Sequence, residues 1–399
     1  MRAKQNIQGW RPTGTTVLMR VDFNVPLDSE RRITDETRIT AALPSIRHLC
    51  ESGARLILMS HLGRPKGKID PAYSLRPVAD RLAEILAVPV KFAADTVGPD
   101  AQAKAAALKD GEILLLENLR FNPGETANDP GFSAALADLG DHYVNDAFGT
   151  AHRAHASTVG VVVKMGGGRA GFLMEKELQH LGALLHEPAR PFVAVLGGAK
   201  VAGKVEVILN LLDTVDTLLV GGGMIFTFFK ALGFNIGTSL LDEESLEVAR
   251  EINTRAKSSR AKLVLPQDCV VAREFNDKAE KKTVLVSDIP DGWMGLDIGP
   301  ATADRFEGII KEARSIFWNG PMGVFELPSF AAGTRQVGTA VARATEAGAL
   351  SVVGGGDSVA AVNQFGLGGA ISHISTGGGA SLEFMAGLEL PGVAALSDA

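Results

Sequence analysis

Two cysteines in 399 residues, Cys50 and Cys269, are too few and too far apart for a disulfide framework, a zinc ribbon or a CxxC redox pair. They read as buried thiols of a reducing compartment. No stretch of 18 apolar residues occurs, because Asp, Lys, Asn or Arg interrupts every long run, so no membrane-spanning helix is expected. The first eleven residues are polar and lack the apolar core of a signal peptide, and a cytoplasmic protein is the expectation. Positive charge is not in excess either: 40 Lys and Arg against 46 Asp and Glu leave a net charge of -6, which argues against nucleic acid as a partner. Any anion site must be a local gathering of Arg and Lys. Low-complexity tracts and short repeats are missing, as is any Cys/His or Ser/His/Asp nucleophile arrangement.

What is present is an alternation. Short β-branched or Leu-rich runs at 16–21, 55–59, 113–116, 193–196, 217–220, 262–265, 315–318 and 350–353 have the length of buried parallel strands. Helical patterns lie between them. One covers 37–52, with Pro44 at a bend or early turn. Another covers 74–87, with Ser74 as N-cap and Pro77 in the first turn. Strand and helix in turn predict an α/β fold of two doubly wound parallel-sheet (Rossmann-like) domains. The length suits two domains. A polar helix running into Glu187-Pro188-Ala189-Arg190-Pro191 marks the junction. The expected layout is a first domain over 1–172, a hinge helix over 173–188 and a second domain over 189–382. Ligands are expected in the cleft between the two domains.

Two glycine motifs mislead. Residues 166–171 satisfy G-x-G-x-x-G, but Glu187, at the distance of a ribose-binding acid, sits beside Pro188 rather than at a strand end. Residues 198–205 nearly spell a P-loop, but Val205 stands where a Ser or Thr hydroxyl would meet Mg²⁺. The small residues and the lysine pair Lys200 and Lys204 still suit a phosphate.

In the first half, Arg20, Arg38, Arg64, Arg120 and Arg153 lie at or just after strand ends or at the start of a helix, with His61 among them. Five such arginines converging on one sheet edge would repel unless a polyanion joined them, and their forks fit phosphate and carboxylate oxygens. Asp22 and Asn24 can meet hydroxyls of the same ligand, and Asp22 can also pair with Arg20 or Arg38. In the second half, glycine clusters follow strands at 197–198, 221–223, 354–356 and 377–379. They let backbone and helix N-termini approach an anion. Asp357 follows one cluster directly, and an acid beside a phosphate needs a cation, which makes it the Mg²⁺ candidate; an N-cap role for Asp357 or Ser358 is the alternative. A basic pocket on one half and glycine loops, lysines and an acid on the other describe a two-substrate phosphotransferase, which needs no nucleophile of its own. Another carboxylate-accepting kinase, or a non-catalytic two-lobed anion-binding protein, would share parts of this pattern.

The stretches 20–27, 60–65, 117–122, 145–159, 196–201, 292–300, 318–326, 354–358 and 375–380 resemble, in order and spacing, those of the phosphoglycerate kinase family. The resemblance runs from near residue 16 to near 387. It implies reversible transfer between 1,3-bisphosphoglycerate with MgADP and 3-phosphoglycerate with MgATP, by direct in-line transfer with hinge closure. By motif match, Asp22 and Asn24 would hold the glycerate and Arg38 its carboxylate. His61, Arg64, Arg120 and Arg153 would hold its non-transferring phosphate. Lys204, Gly355, Gly356, Asp357 and Ser358 would meet the nucleotide phosphates with Asn319 near them. Gly221, Gly222 and Gly295 would flank the adenine and Glu326 would bind the ribose. Asp357 would hold the metal, Gly377 and Gly378 would support the transferring group, and Arg38 and Lys200 would be catalytic. The resemblance also implies a monomer, and a terminal segment, 383–399, packed back on the first domain. Two departures stand out: Gly203 replaces a usual acid, and the loop before the hinge helix is glycine-rich, so residues 165–170 are expected to be looser than their flanks.

Overall fold

The computed structural model describes residues 2–399. They form two compact units, residues 2–179 with Glu389–Ala399, and His180–Leu388. The division falls inside the helix Phe172–His186.

The first unit is built on β1 (Thr16–Val21), β2 (Arg55–Met59), β3 (Val90–Phe92), β4 (Ile113–Leu115), β5 (His142–Asp146) and β6 (Arg169–Ala170). All pairings are parallel, in the order β3-β4-β2-β1-β5-β6. From β1 the chain builds β2, β3 and β4 on one side and then β5 and β6 on the other, so the winding reverses between β1 and β5. A doubly wound sheet leaves a crevice at the carboxyl ends of such a strand pair. Here those ends carry Arg20, Val21, Asn145 and Asp146. Asn145 and Asp146 are therefore the last residues of a strand, not part of a loop after one, and both are fully buried. One face of the sheet closes over Val17, Met19, Val21, Leu56 and Leu58 with Ile39, Leu43 and Ile46 of the helix Thr37–Glu51.

The second unit holds β7 (Phe192–Leu196), β8 (Thr217–Val220), β9 (Lys262–Val264), β10 (Asp268–Ala272), β11 (Lys281–Leu285), β12 (Met294–Ile298), β13 (Ser315–Asn319), β14 (Leu350–Gly354) and β15 (His373–Ile374). Its main sheet is parallel, in the order β15-β14-β13-β7-β8-β9. The winding reverses between β7 and β13, whose last residues are Leu196 and Asn319. Around Trp318, a core of Val195, Leu219, Ile316, Val337, Val341 and Val353 seals this sheet.

The α/β class holds, and eight expected strands are present with ends shifted by at most one residue. Seven strands lie outside those eight runs: β3, β5, β6 and β15 in the main sheets, and β10, β11 and β12, which form a separate antiparallel sheet ordered β11-β10-β12. Ser74 is displaced as a cap. The helix Arg76–Leu86 starts with Leu75 in the capping position, while the Ser74 hydroxyl still accepts the Arg76 N–H at 3.2 Å. The loop over residues 165–170 is hydrogen-bonded to both chain ends. Gly168 exchanges hydrogen bonds with Ser397, N–H to hydroxyl at 3.2 Å and carbonyl from N–H at 3.0 Å. Ala170 pairs with Gln5 and Ile7 at 2.8 and 3.1 Å. Both chain ends thus cross this loop, and each backbone bond they make opposes its opening.

Candidate active site

At the crevice of the first sheet, Arg20 leaves β1 but is only 1% exposed. Its Nε donates to the Ser157 hydroxyl at 2.9 Å and one terminal nitrogen to His61 Nδ1 at 3.1 Å. A guanidinium has only donors, so Nδ1 accepts and the His61 proton sits on Nε2. Burial first, then Arg20, Arg120, Arg38 and Arg153, hold the His61 imidazole well below its ordinary range, so at neutral pH it is uncharged. His61 thus joins the cluster as a neutral donor, not as one of its cations.

Arg64, Arg120 and Arg153, with Lys66, Gly67, Thr126 and His155, line a cavity of about 390 Å³. Arg120 donates to the Gly63 carbonyl at 2.7 Å. Burial, then Arg153 and Arg20, bring its guanidinium down to about 10, still protonated at neutral pH. Like charges gathered this closely make a binding place for an anion with several oxygens. Arg38 pairs with Asp22 and keeps about a third of its side chain in solvent. Asn24 is committed to the loop, its side-chain oxygen accepting the Gly63 N–H at 2.8 Å. Arg20, counted among the cations facing a ligand, instead braces the site from below. It is balanced by Glu125, a fully buried carboxylate that takes the Ser157 hydroxyl at 2.6 Å.

In the second unit, a cavity of about 670 Å³ opens at the reversal point between β7 and β13. Gly198, Gly222, Gly223, Gly295, Glu326 and Asp357 all line it, and Ile225, Phe226, Leu240, Phe275, Met294 and Leu296 give it apolar walls. A planar ring system with a polar tail suits such a lining. Gly222 (φ +68°) is required by close approach, since a Cβ there would lie 2.4 Å from the Gly198 nitrogen. Gly221 faces packing, with Met322 Sδ only 2.4 Å from where its Cβ would be.

Two helix N-termini meet at the end of β14. The helices Gly356–Gln364 and Gly378–Met385 come so close that a Cβ on Gly378 would sit 2.9 Å from Gly355 Cα. Their free N–H groups and dipoles favour negative charge there. The Asn319 amide nitrogen is buried beside Gly355 with no hydrogen-bond partner among the described residues, a donor left for a ligand. Burial pushes the Lys204 ammonium down, and Asp357 nearby pulls it back up. Ser358 is fully buried and its hydroxyl accepts the Gly320 N–H at 2.5 Å, so it ties down the β13 turn. Gly377 caps its helix, its N–H donating to the Ser375 hydroxyl at 3.2 Å. Lys200 is exposed and does not line the cavity. Around Gly203 there is open space, so the missing acid leaves no packing defect.

Sequence reasoning missed Lys66, Glu125 and His155 in the first unit and the apolar walls and Asp297 in the second. Lys66 had a signal, lying directly after Arg64-Pro65. Glu125 had none, because a buried acid and a surface acid look alike in sequence.

The protein-family model for phosphoglycerate kinase matches residues 7–388. A phosphoglycerate kinase of Chlorobaculum tepidum is 56% identical over 385 residues, 96% of this chain and 97% of the relative. One from Chlorobium chlorochromatii is 55% identical over 395 residues, 99% of this chain and all of the relative. Among solved structures, phosphoglycerate kinase from Coxiella burnetii superposes with a TM-score of 0.88 at 40% identity, and that from Pyrococcus horikoshii with 0.86 at 35% identity. Each covers 98% of both chains.

Proposed function

Because this chain belongs to the phosphoglycerate kinase family, we propose from that premise how its own residues divide the work of the transfer. The activity is phosphoryl transfer with a carboxyl group as acceptor, between phosphoglycerate and adenine nucleotide. In the ATP-forming direction an oxygen of the ADP β-phosphate attacks the acyl-phosphate phosphorus. The phosphorus–oxygen bond to the acyl group breaks and a carboxylate leaves. Both oxygens are already anionic, so no proton moves and no general base is needed. What the protein must supply is alignment and relief of charge repulsion.

Arg64, Arg120 and Arg153 hold the non-transferring phosphate, with His61 Nε2–H as an uncharged donor. Asp22 and Asn24 orient the glycerate. Arg38, about a third exposed beside Asp22, and Lys200, exposed after β7, stabilise the equatorial oxygens of the transferring group. Gly222 and Gly295 flank the adenine, with Gly221 packed behind them against Met322, and Glu326 takes the ribose. Lys204, Asn319, Gly355, Gly356 and Ser358 position the phosphates, directly or by bracing the loop. The paired helix ends at Gly377 and Gly378 meet the charge that develops in transfer.

The residues fit Mg²⁺ brought in on the nucleotide. Asp357 offers one carboxylate in the cavity wall. Among the described residues no group of three or more His, Cys, Asp or Glu forms a metal site alone, and nucleotide phosphate oxygens and water would supply the ion's other ligands. When bound, the ion neutralises charge on the phosphates. The protein is further proposed to work as a cytoplasmic monomer; among the described residues no helix is long and apolar enough to cross a membrane.

The observation that carries this reading is the placement of the glycine-lined cavity at the winding reversal of the second sheet and of the arginine-lined cavity on the segments that follow β2, β4 and β5 of the first. The test is turnover of 3-phosphoglycerate with ATP and Mg²⁺, coupled to reduction of the acyl phosphate, beside Arg38→Ala. Mg²⁺-dependent turnover that falls by about 10²-fold or more in the variant is expected. A variant as fast as the wild type would remove Arg38 from the reacting centre.

A further inference from the structure

Asp297 lines the cavity of the second unit, yet no step above uses it. It lies within the stretch 292–300, from which the sequence drew only Gly295. The side chain is nearly sealed, 3% exposed at the end of β12. One carboxylate oxygen accepts the Ile298 N–H at 2.9 Å and the other the Gly333 N–H at 2.8 Å. Gly333 is the second residue of the helix Ala332–Glu346, so the carboxylate lies at that helix's positive end. Nothing else fits around it. A Cβ on Gly323 would lie 2.2 Å from Asp297 Oδ1, and one on Gly333 would lie 2.5 Å from it. Burial pushes this carboxyl up to about 7 in spite of both hydrogen bonds, so keeping an acid here is costly. An apolar residue would fill the same space without that cost, which points to a task for the two acceptors.

The task is visible one residue on. The buried Thr334 hydroxyl oxygen accepts the N–H of Met322 at 3.0 Å and of Gly323 at 3.2 Å. That loop walls the cavity between β13 and Glu326, and its carbonyls at Pro321 and Met322 take the N–H groups of Gly198 and Gly222, both at 3.0 Å. The glycine turns of β7 and β8 thus hang on the same loop.

We propose that Asp297 is a positioning residue for the nucleotide: it holds the first turn of the helix Ala332–Glu346, and through Thr334 that turn holds the cavity loop at residues 321–324. The inference rests on reading this cavity as the nucleotide site. Asp297→Asn keeps the shape but sets an NH₂ group against one of the two backbone donors. Thr334→Val keeps the shape and removes the next link.

The experiment is calorimetric titration of the full chain with MgADP, for wild type, Glu326→Ala, Asp297→Asn, Thr334→Val and the double variant, with KM for ATP and 3-phosphoglycerate alongside. Each single variant is expected to weaken MgADP about tenfold and raise KM for ATP, with kcat and KM for 3-phosphoglycerate within twofold. Members of one relay are not additive, so the double variant is expected to stay near the singles rather than reach a hundredfold. A hundredfold product, equal rises in KM for both substrates, or singles that bind like wild type would each overturn the proposal. Unchanged binding in Glu326→Ala would instead overturn the nucleotide reading itself. Should Asp297→Asn fail to fold, the same selective tenfold loss in Thr334→Val decides.

Discussion

Ser157 gives both of its donors to one buried carboxylate: its hydroxyl reaches Glu125 at 2.6 Å and its backbone N–H at 3.0 Å. The same hydroxyl oxygen accepts from Arg20 at 2.9 Å, and Arg20 in turn holds His61. The anion site therefore rests on a buried ion network whose negative member never faces the ligand.

Glu125→Gln is expected to destabilise the protein by about 3 kcal/mol, since removing one partner leaves the Arg20 charge buried without its balance. Burial alone would raise the Glu125 carboxyl, but His155, Arg20 and Ser157 together hold it below its ordinary value of 4.5. The contribution is thus full above about pH 4.5 and lost as pH falls further. Urea unfolding of wild type and variant at pH 7 and pH 4 measures this. A gap that stays constant between the two pH values would contradict it.

Asp146 and Asp297 titrate the other way. Burial raises each from 3.8 to about 7. Between those values the folded chain keeps protons that the unfolded chain releases, so their contribution to stability is full below about pH 4 and declines as pH rises through 7. Melting temperatures across pH 5 to 8 should therefore fall less steeply in Asp146→Asn than in wild type. Parallel curves would show that Asp146 ionises normally.

Gly378→Ala places a methyl 2.9 Å from Gly355 Cα and pries apart the two helix ends. With donors displaced from a developing charge, kcat is expected to drop roughly 10²-fold with KM for ATP changed little. Steady-state kinetics decide it, and a pure KM effect would place these helix ends on ground-state nucleotide alone.

Lys66 shares the cavity with Arg64, Arg120 and Arg153. Lys66→Ala should raise KM for 3-phosphoglycerate by roughly 5- to 10-fold and flatten its salt dependence, because one screened charge is gone. A KM whose response to added KCl matches that of wild type would take Lys66 out of the site.

Much of this was legible in one dimension. Parallel strands buried on both faces must be continuous apolar runs, so β1, β2, β7, β8, β13 and β14 announced themselves. Residues on strand-end turns follow those runs directly, which is why Arg64, Arg120, Gly222, Asn319 and Asp357 could be named. The short antiparallel sheet β10–β12 could not: β11 is mostly exposed and polar, and its pairing depends on neighbours rather than on its own pattern. Nor could the sequence say which arginine faces a ligand. Arg20 and Arg64 sit in similar settings, but β1 is central, so the side chain at its end is roofed by the 155–158 turn, while Arg64 stands on an open loop.

The sequence by itself thus marked, as apolar runs, eight of the twelve strands of the two main sheets, the chemistry at their ends and the family. Only the tertiary structure decided that His61 is neutral, that Glu125 balances Arg20 and that Asp297 holds the first turn of the helix Ala332–Glu346. Those are properties of burial and of contacts between residues far apart in the chain, and both come into being only when the sheet edges and helix ends are packed together.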